Sequence, residues 1–315
     1  MKIGSVRERR ELIMKKGNAF KITISTSLII VMAVAFMPIF GVSNANAATK
    51  KGRLVKSVTI QTYNKSKKKW INNNKMAFTY NKKNDPKKIA VTIYDGNGKH
   101  PYEGSTEKNR IKYNKKGVRI SRSMTLEDSE GAVTTAKITY DKYGNPKKLT
   151  SKFVYEDLCS KEVTNYTRTK RGYLKKLINT KTELSDPEIT TQDHFKYQVK
   201  QRKNNLLRRV EAECYDSTIK EWMKDSTFTY NAKGLLVKER RASASQTITY
   251  TYTWKKGRVT SVKITSKDDD GYVDKTKYKF TYTKKKVGKI RYAKMINELV
   301  AGDSDSNNYN LYSWY

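Results

Sequence analysis

The chain has 315 residues, with 66 Lys+Arg against 30 Asp+Glu, a formal net charge of +36 and 37% hydrophobic residues. That apolar share lies below the ~45–50% of ordinary globular chains. Together with only 2 Cys and 2 His, it argues against a polytopic membrane protein, a large dry α/β core, a disulfide-dense mini-domain and a rich catalytic apparatus.

The first predicted element is the apolar run at 28–40 (LIIVMAVAFMPIF). Lys15, Lys16 and Lys21 precede it, and Ala45 and Ala47 stand after it at the two positions a signal peptidase reads. Its 13 residues, broken by Pro38, fall short of the ~20 that a spanning helix needs. The reading is a signal peptide over 1–48, cleaved near Ala47 or Ala48, with Met14 as an alternative start to Met1. The mature segment 49–315 then carries 59 Lys+Arg and 28 Asp+Glu, a net +31. It is expected to be secreted, extracellular or cell-wall associated, in a Gram-positive-like setting.

A repeat organises the mature segment. Tyr80, Tyr113, Tyr140, Tyr166, Tyr197, Tyr230, Tyr252 and Tyr282 recur at spacings of 22 to 33 residues, each ending a short alternating run such as FTYN or ITYD. Phe78, Phe153, Phe195, Phe228 and Phe280 each stand two residues before a Tyr, a step that keeps side chains on one face of a strand. Most of these tyrosines lead into a basic turn that closes on Gly, as in 113–117 (YNKKG) and 230–234 (YNAKG). Asx and Gly are the residues that reverse a chain through positive φ. The chain then runs outward, turns again and returns to the next Tyr. Two of these second turns match: Tyr63 to Trp70 and Tyr215 to Trp222 both place Trp seven residues after Tyr.

The pattern predicts an all-β chain of repeated antiparallel β-hairpins, about 16 strands. These are expected to form a long, strongly twisted or coiled meander sheet over 49–296, with 297–315 as a C-terminal cap or tail. A propeller would need three or four strands per blade, whereas this repeat supplies two.

Units such as 138–144 (ITYDKYG) and 228–235 (FTYNAKGL) resemble the YD repeats of the Rhs-type family of bacterial secreted and surface proteins. The resemblance covers roughly residues 52–292. It implies an antiparallel sheet that curls into a shell or spiral and serves as a surface scaffold, a glycan contact or a toxin casing. Asn or Thr usually replaces the Asp here, spacings are longer and uneven, and the repeats number only about eight.

In a meander, all turns of one kind lie along one edge. The Tyr-to-Gly segments 80–86, 113–117, 140–144, 166–172, 197–204, 230–234, 252–257 and 282–288 hold 17 Lys+Arg and only Asp85 and Asp141, a net +15. The acidic clusters, such as Asp268-Asp269-Asp270, fall in the opposite turns. The candidate polyanion-binding residues are therefore Lys82, Lys83, Lys115, Lys116, Lys170, Arg171, Lys233, Lys255, Lys256, Lys284, Lys285 and Lys286. The expected partner is an anionic cell-wall polymer or an acidic glycan, met by many additive contacts; export disfavours nucleic acid. The alternative is a neutral glycan stacking on exposed aromatic rings, with Trp70 and Trp222 as candidates. No Ser/His/Asp, Cys/His or paired-carboxylate spacing supports an enzyme, and no cofactor or metal site is expected. The Asp-rich stretches at 268–271 and 303–307 read as solvated turns rather than calcium loops. Cys159 and Cys214 are expected as free thiols.

Overall fold

The computed structural model describes residues 52–301, apart from 128–130, 156–157, 169–173, 185–189, 203–205 and 243–244. The expected signal peptide, the segment 302–315, Lys170 and Arg171 lie outside the described residues. The strands run in order as β1 (Gly52–Asn64), β2 (Lys69–Tyr80), β3 (Pro86–Tyr94), β4 (Pro101–Tyr113), β5 (Arg119–Glu127), β6 (Val133–Tyr140), β7 (Pro146–Tyr155) and β8 (Leu158–Arg168). They continue as β9 (Leu174–Glu183), β10 (Thr190–Gln201), β11 (Leu207–Asp216), β12 (Glu221–Tyr230), β13 (Leu236–Arg241), β14 (Gln246–Lys255), β15 (Arg258–Asp268) and β16 (Val273–Val287). One helix, α1 (Lys289–Ala301), ends the described chain.

Every strand pairs antiparallel with its neighbours in sequence, and β1 also pairs with β16, from Gly52 opposite Val287 to Thr62 opposite Thr276. The sheet is thus a closed 16-strand barrel, not the open coiled meander expected from the repeat. The physical reason is the pair of edges. An open sheet of this length would leave two long rows of unpaired N–H and C=O groups. The twist of ~20–25° per neighbour brings the first and last strands close enough to satisfy each other.

Alternation sorts the two faces. Ile248 and Tyr250 of β14, Tyr278 and Phe280 of β16, and Ala136, Ile138 and Tyr140 of β6 are buried inside. Thr249, Thr251 and Thr253, with Lys279, Thr281, Thr135 and Lys137, are exposed outside. This outer face of Thr and Lys is the reverse of the apolar band that lipid-facing barrels carry. No helix among the described residues is long and apolar enough to cross a membrane.

The repeating tyrosines have a structural task at the strand ends. Tyr80 Oη donates to Val55 O at 2.7 Å, Tyr252 Oη to Leu236 O at 2.6 Å and Tyr282 Oη to Val259 O at 2.5 Å. In each case a tyrosine closing an even-numbered strand is tied to the opening of the preceding odd-numbered one. Tyr113 has the same geometry but reaches Asp85 Oδ2, at 2.5 Å, just before β3.

Helix α1 plugs the mouth on this tyrosine side. Sixteen strands at about 4.8 Å and a tilt of ~35–45° give a backbone diameter of roughly 30–35 Å for a circular barrel, so the ~10–12 Å wide helix occupies this mouth together with the inward side chains packed against it. Tyr292, Ala293, Met295, Ile296, Leu299 and Val300 are buried in the bore. Polar ties fix the helix to strands around the ring. Asn297 Oδ1 accepts from Leu236 N at 2.9 Å and its Nδ2 donates to Gly234 O at 2.8 Å, while Tyr292 Oη accepts from Val259 N at 2.7 Å. Across the bore, Arg291 donates to Asn84 O at 2.7 Å and to Asp85 Oδ1 at 3.4 Å. Strand pairing therefore stops at Val287, and the helix straddles the expected boundary at 296/297.

Asp85 is the node of this end. It is 2% exposed and meets Tyr113, the Nε and Nη2 of the buried Arg119 and the helix residue Arg291. Two further buried pairs stitch the interior: Arg122 with Glu107 at 2.8 Å, and Arg241 with Glu239 at 2.6 Å. Removing one member of such a pair strands its partner's charge, at a cost of about 3–5 kcal/mol. Asp85→Ala should therefore lower the stability measured by urea unfolding by about that amount. Tyr252→Phe, which removes the bond to the Leu236 carbonyl, should cost about 1–2 kcal/mol. Equal effects of the two substitutions would contradict this ranking.

Candidate polyanion-binding rim

Four rim turns share one construction. Asn81, Asn114, Asp141 and Asn231 each come directly after the strand-ending tyrosine, and each side-chain oxygen caps the turn's backbone. Asn231 Oδ1 accepts from Lys233 N at 2.9 Å and Leu235 N at 3.1 Å, and Asp141 Oδ1 accepts from Tyr143 N at 2.8 Å and Asn145 N at 2.9 Å. Asn81 and Asn114 repeat the pattern toward Lys83, Asp85 and Val118. This is why Asn and Asp interchange at that position: both offer the same acceptor. The turns at Asn114, Asp141 and Asn231 close on a left-handed glycine. At Gly234, where φ is 74°, a Cβ would also lie 2.9 Å from Leu206 Cδ2.

With the turns locked, their middle residues point to solvent. Lys82, Lys83, Lys115, Lys116, Lys233, Lys255 and Lys256 are all exposed on the helix-plugged rim. Lys256 and Gly257, both at positive φ, form a two-residue turn between the paired Lys255 and Arg258. Lys284, Lys285 and Lys286 differ from expectation. They belong to the extension of β16, where Lys286 pairs with Arg53, and only Gly288 separates that strand from α1. They are exposed nonetheless. Two lysines are steadied by rings: Lys83 Nζ lies 4.0 Å from the Tyr113 centroid and Lys233 Nζ 3.7 Å from that of Trp254.

Among the described residues, no ion pair involves these lysines; the ion pairs present join Asp85, Glu107, Glu183, Glu211 and Glu239 to other cations. Asp85 is already held by Arg119 and Arg291. Not every basic rim residue is free for a partner. Arg168 donates to Pro146 O at 3.1 Å and Arg202 to Tyr230 O at 3.2 Å, so both guanidiniums brace neighbouring turns. Reading by charge alone did not separate such braces from free lysines, and gave no hint that Asp85, Arg119 and Arg291 anchor the rim.

The glycan alternative fares differently at its two tryptophans. Tyr63–Trp70 and Tyr215–Trp222 are cross-strand pairs with ring centroids 5.3 and 5.4 Å apart. The duplication extends to the preceding strand: Lys277 faces Gln61 and lies 5.6 Å from the Trp70 ring, while Lys196 faces Glu213 and lies 3.6 Å from Trp222. Both hairpins carry a register shift at the same place, after Ile60 and after Ala212. One face of each indole thus already holds an ammonium. The Asp-rich turn at 268–271 is capped by Asp268 Oδ1 accepting from Tyr272 N at 2.7 Å, and the described residues contain no group of three or more potential metal ligands. Cys159 on β8 and Cys214 on β11 are unbonded.

Compared with protein-family models, the chain matches none, and no curated protein matches it. Among solved structures it is similar to a porin-like protein from Bacteroides uniformis ATCC 8492, at 16% identity over 73% of this chain and 98% of that one, with a TM-score of 0.47. A porin-like protein from Bacteroides vulgatus ATCC 8482 gives 10% identity over 74% and 100% of the two chains, with a TM-score of 0.30. A crystal structure of TcdB2-TccC3-Cdc42 gives 10% identity over 66% of this chain and 13% of that one, with a TM-score of 0.28.

The rim's integrity depends on protonated tyrosines. Burial pushes Tyr80, Tyr140, Tyr166 and Tyr282 well above the ordinary value of 10.0, and burial with the Asp85 hydrogen bond pushes Tyr113 up to about 12. The folded state therefore holds more protons than the unfolded one above pH 10, so stability is full below that pH and falls as pH rises through the raised values. Unfolding free energy measured from pH 9 to pH 12 should decline steadily, with phenolate absorbance appearing together with loss of β-structure. Free titration of all tyrosines near pH 10 in the folded protein would contradict the arrangement.

Proposed function

We propose that this is an exported, non-catalytic barrel protein held on an anionic cell-wall polymer or acidic glycan by its lysine-bearing rim. The observation that carries the reading is the set of exposed lysines, in no ion pair with a described acid, that surround a plugged mouth, five of them (Lys82, Lys83, Lys115, Lys116 and Lys233) on Asx-capped turns. Because α1 fills the bore, that end is a solid basic face rather than a pore entrance. A linear polyanion laid across it would meet lysines from several hairpins at once and release counterions at each contact. The Thr- and Lys-covered outer wall supports a barrel surrounded by water. The interior ion pairs Arg122–Glu107 and Arg241–Glu239 are buried stitches, which supports a scaffold rather than an enzyme.

The test is retention of the mature chain on purified Gram-positive cell wall, with and without its anionic polymer, between 50 and 500 mM salt. Raising ionic strength shrinks the screening length from over 10 Å to several ångströms. Affinity should fall at least tenfold across this range and should require the polymer. Replacing Lys82, Lys83, Lys115 and Lys116 together by Gln should weaken retention and flatten the salt slope by about 2–4 in log–log terms, with the melting temperature unchanged. Salt-independent retention, or retention indifferent to the four substitutions, would overturn the reading.

A further inference from the structure

The opposite mouth holds a cavity that the basic rim does not explain. The tips of β1–β2 and β3–β4 and the turn between β15 and β16 meet around a space of about 570 Å3, within the ~300–1,000 Å3 of small-molecule sites. Three tyrosines from three different hairpins, Tyr63, Tyr94 and Tyr272, line it, with Asn73, Lys65 and Asp274 between them.

Its walls are held in place without a ligand. Tyr63 is set edge-on by Trp70 at 64°, and Tyr272 is fixed by the bond from its N–H to Asp268 Oδ1. The β3–β4 tip is pinned onto β2, since Asn72 Nδ2 donates to Gly98 O at 3.2 Å and Lys67 Nζ donates to Asn97 Oδ1 at 2.8 Å. That approach is so close that a Cβ on Gly98, at φ 71°, would fall 2.6 Å from Asn72 N. The tip's own shape is set by Asp95 Oδ1 accepting from Lys99 N at 2.9 Å. Beside the duplicated hairpin at β11–β12 the corresponding connection is shorter: four residues separate the paired Arg241 and Gln246, against six between Tyr94 and Pro101.

The lining selects by charge and shape. The wall carries both signs of charge, Lys65 against Asp95 and Asp274, so it presents neither a cation nor a polyanion with a site of one opposing sign. The favourable ligand is then an uncharged molecule with apolar C–H faces for the negative faces of the rings and hydroxyls for Asn73, Asp274 and Lys65. Lys65 Nζ covers one face of Tyr272 at 4.0 Å and Lys275 Nζ one face of Tyr63 at 5.5 Å, so each of these rings has its opposite face for a ligand, and Tyr272 is 58% exposed. We propose that this cavity binds a short uncharged saccharide, at a site separate from the basic rim and resting on none of its argument.

Isothermal titration of the mature chain with cellobiose, maltose and N,N′-diacetylchitobiose checks it. At least one of the three should bind at a single site, with affinity unchanged within about twofold between 50 and 500 mM salt, as expected where no ions are released. Tyr272→Ala and Tyr94→Ala should each weaken it at least tenfold. Tyr143→Ala, at a rim residue 61% exposed, and the fourfold Lys→Gln rim variant should leave it intact. Because Tyr272 is itself largely exposed, its truncation spares the fold, and an unchanged melting temperature confirms that. The proposal is overturned if none of the three sugars binds at 10 mM, if both pocket variants bind as the parent does, or if salt abolishes binding. Sugar binding that persists in the rim variant, alongside loss of wall retention, would show the two sites to be independent.

Discussion

The pairing of β1 with β16 is the constraint on which the rest of this structure depends. Closing the sheet converts one face of every hairpin into an interior and turns two rows of loops into two rings. It also creates a bore of a size that one helix can occupy. Without that register, from Gly52 opposite Val287 to Thr62 opposite Thr276, α1 would have no walls to fill and Asp85 would not meet Arg291 across the mouth. A 13-residue helix is marginal alone in water. Here the barrel supplies its apolar surroundings, and the helix in turn covers side chains that would otherwise line a wet hole.

The strand-ending tyrosines and the turns that follow them divide two tasks. The tyrosine rings contribute apolar area to the inner wall, and the hydroxyls of Tyr80, Tyr252 and Tyr282 capture the backbone where the preceding odd-numbered strand opens. Where an Asx follows, at Asn81, Asn114, Asp141 and Asn231, it satisfies the turn's own N–H groups. Rim shape is therefore set by side chain-to-backbone bonds local to each hairpin, which leaves the turn's middle positions free of structural duty. Lysine fills many of them. Long, charged side chains on rigid loops oppose edge association and aggregation, and the same placement concentrates positive potential on one end. Resistance to edge association and the proposed attraction to a polyanion would thus be served by a single arrangement.

Strand periodicity was legible because Phe and Tyr two residues apart mark one face, and the turns were legible because Asx and Gly have few other uses at that spacing. Closure was not, since nothing local to β1 or β16 distinguishes an edge that pairs from one that stays open. The helix was hidden for a different reason. Tyr292, Met295, Ile296 and Leu299 do recur at helical spacing, with Arg291, Lys294 and Glu298 on the other side, but the run is only 13 residues at the end of a chain dominated by two-residue alternation. At the rim, sequence identified which residues are basic but not which are occupied. Arg168 and Arg202 are committed to backbone carbonyls, a distinction that exists only once neighbouring turns are side by side.

The two mouths differ in what they offer a partner, and the interior explains why both chemistries can coexist. On the plugged side, the acid nearest the lysines, Asp85, is turned inward and neutralised by arginines, so the positive field outside is not cancelled locally. On the other side, acids such as Asp95 and Asp274 stay at the surface among tyrosines and asparagines, interleaved with lysines such as Lys65 over the Tyr272 ring. The separation comes from topology: an antiparallel meander sends alternate turns to opposite ends, so a repeat whose first turn is basic and whose second is acidic builds a barrel with a charge axis. On the proposed reading, such an axis would turn the basic end toward an anionic surface and leave the tyrosine-lined mouth facing away from it.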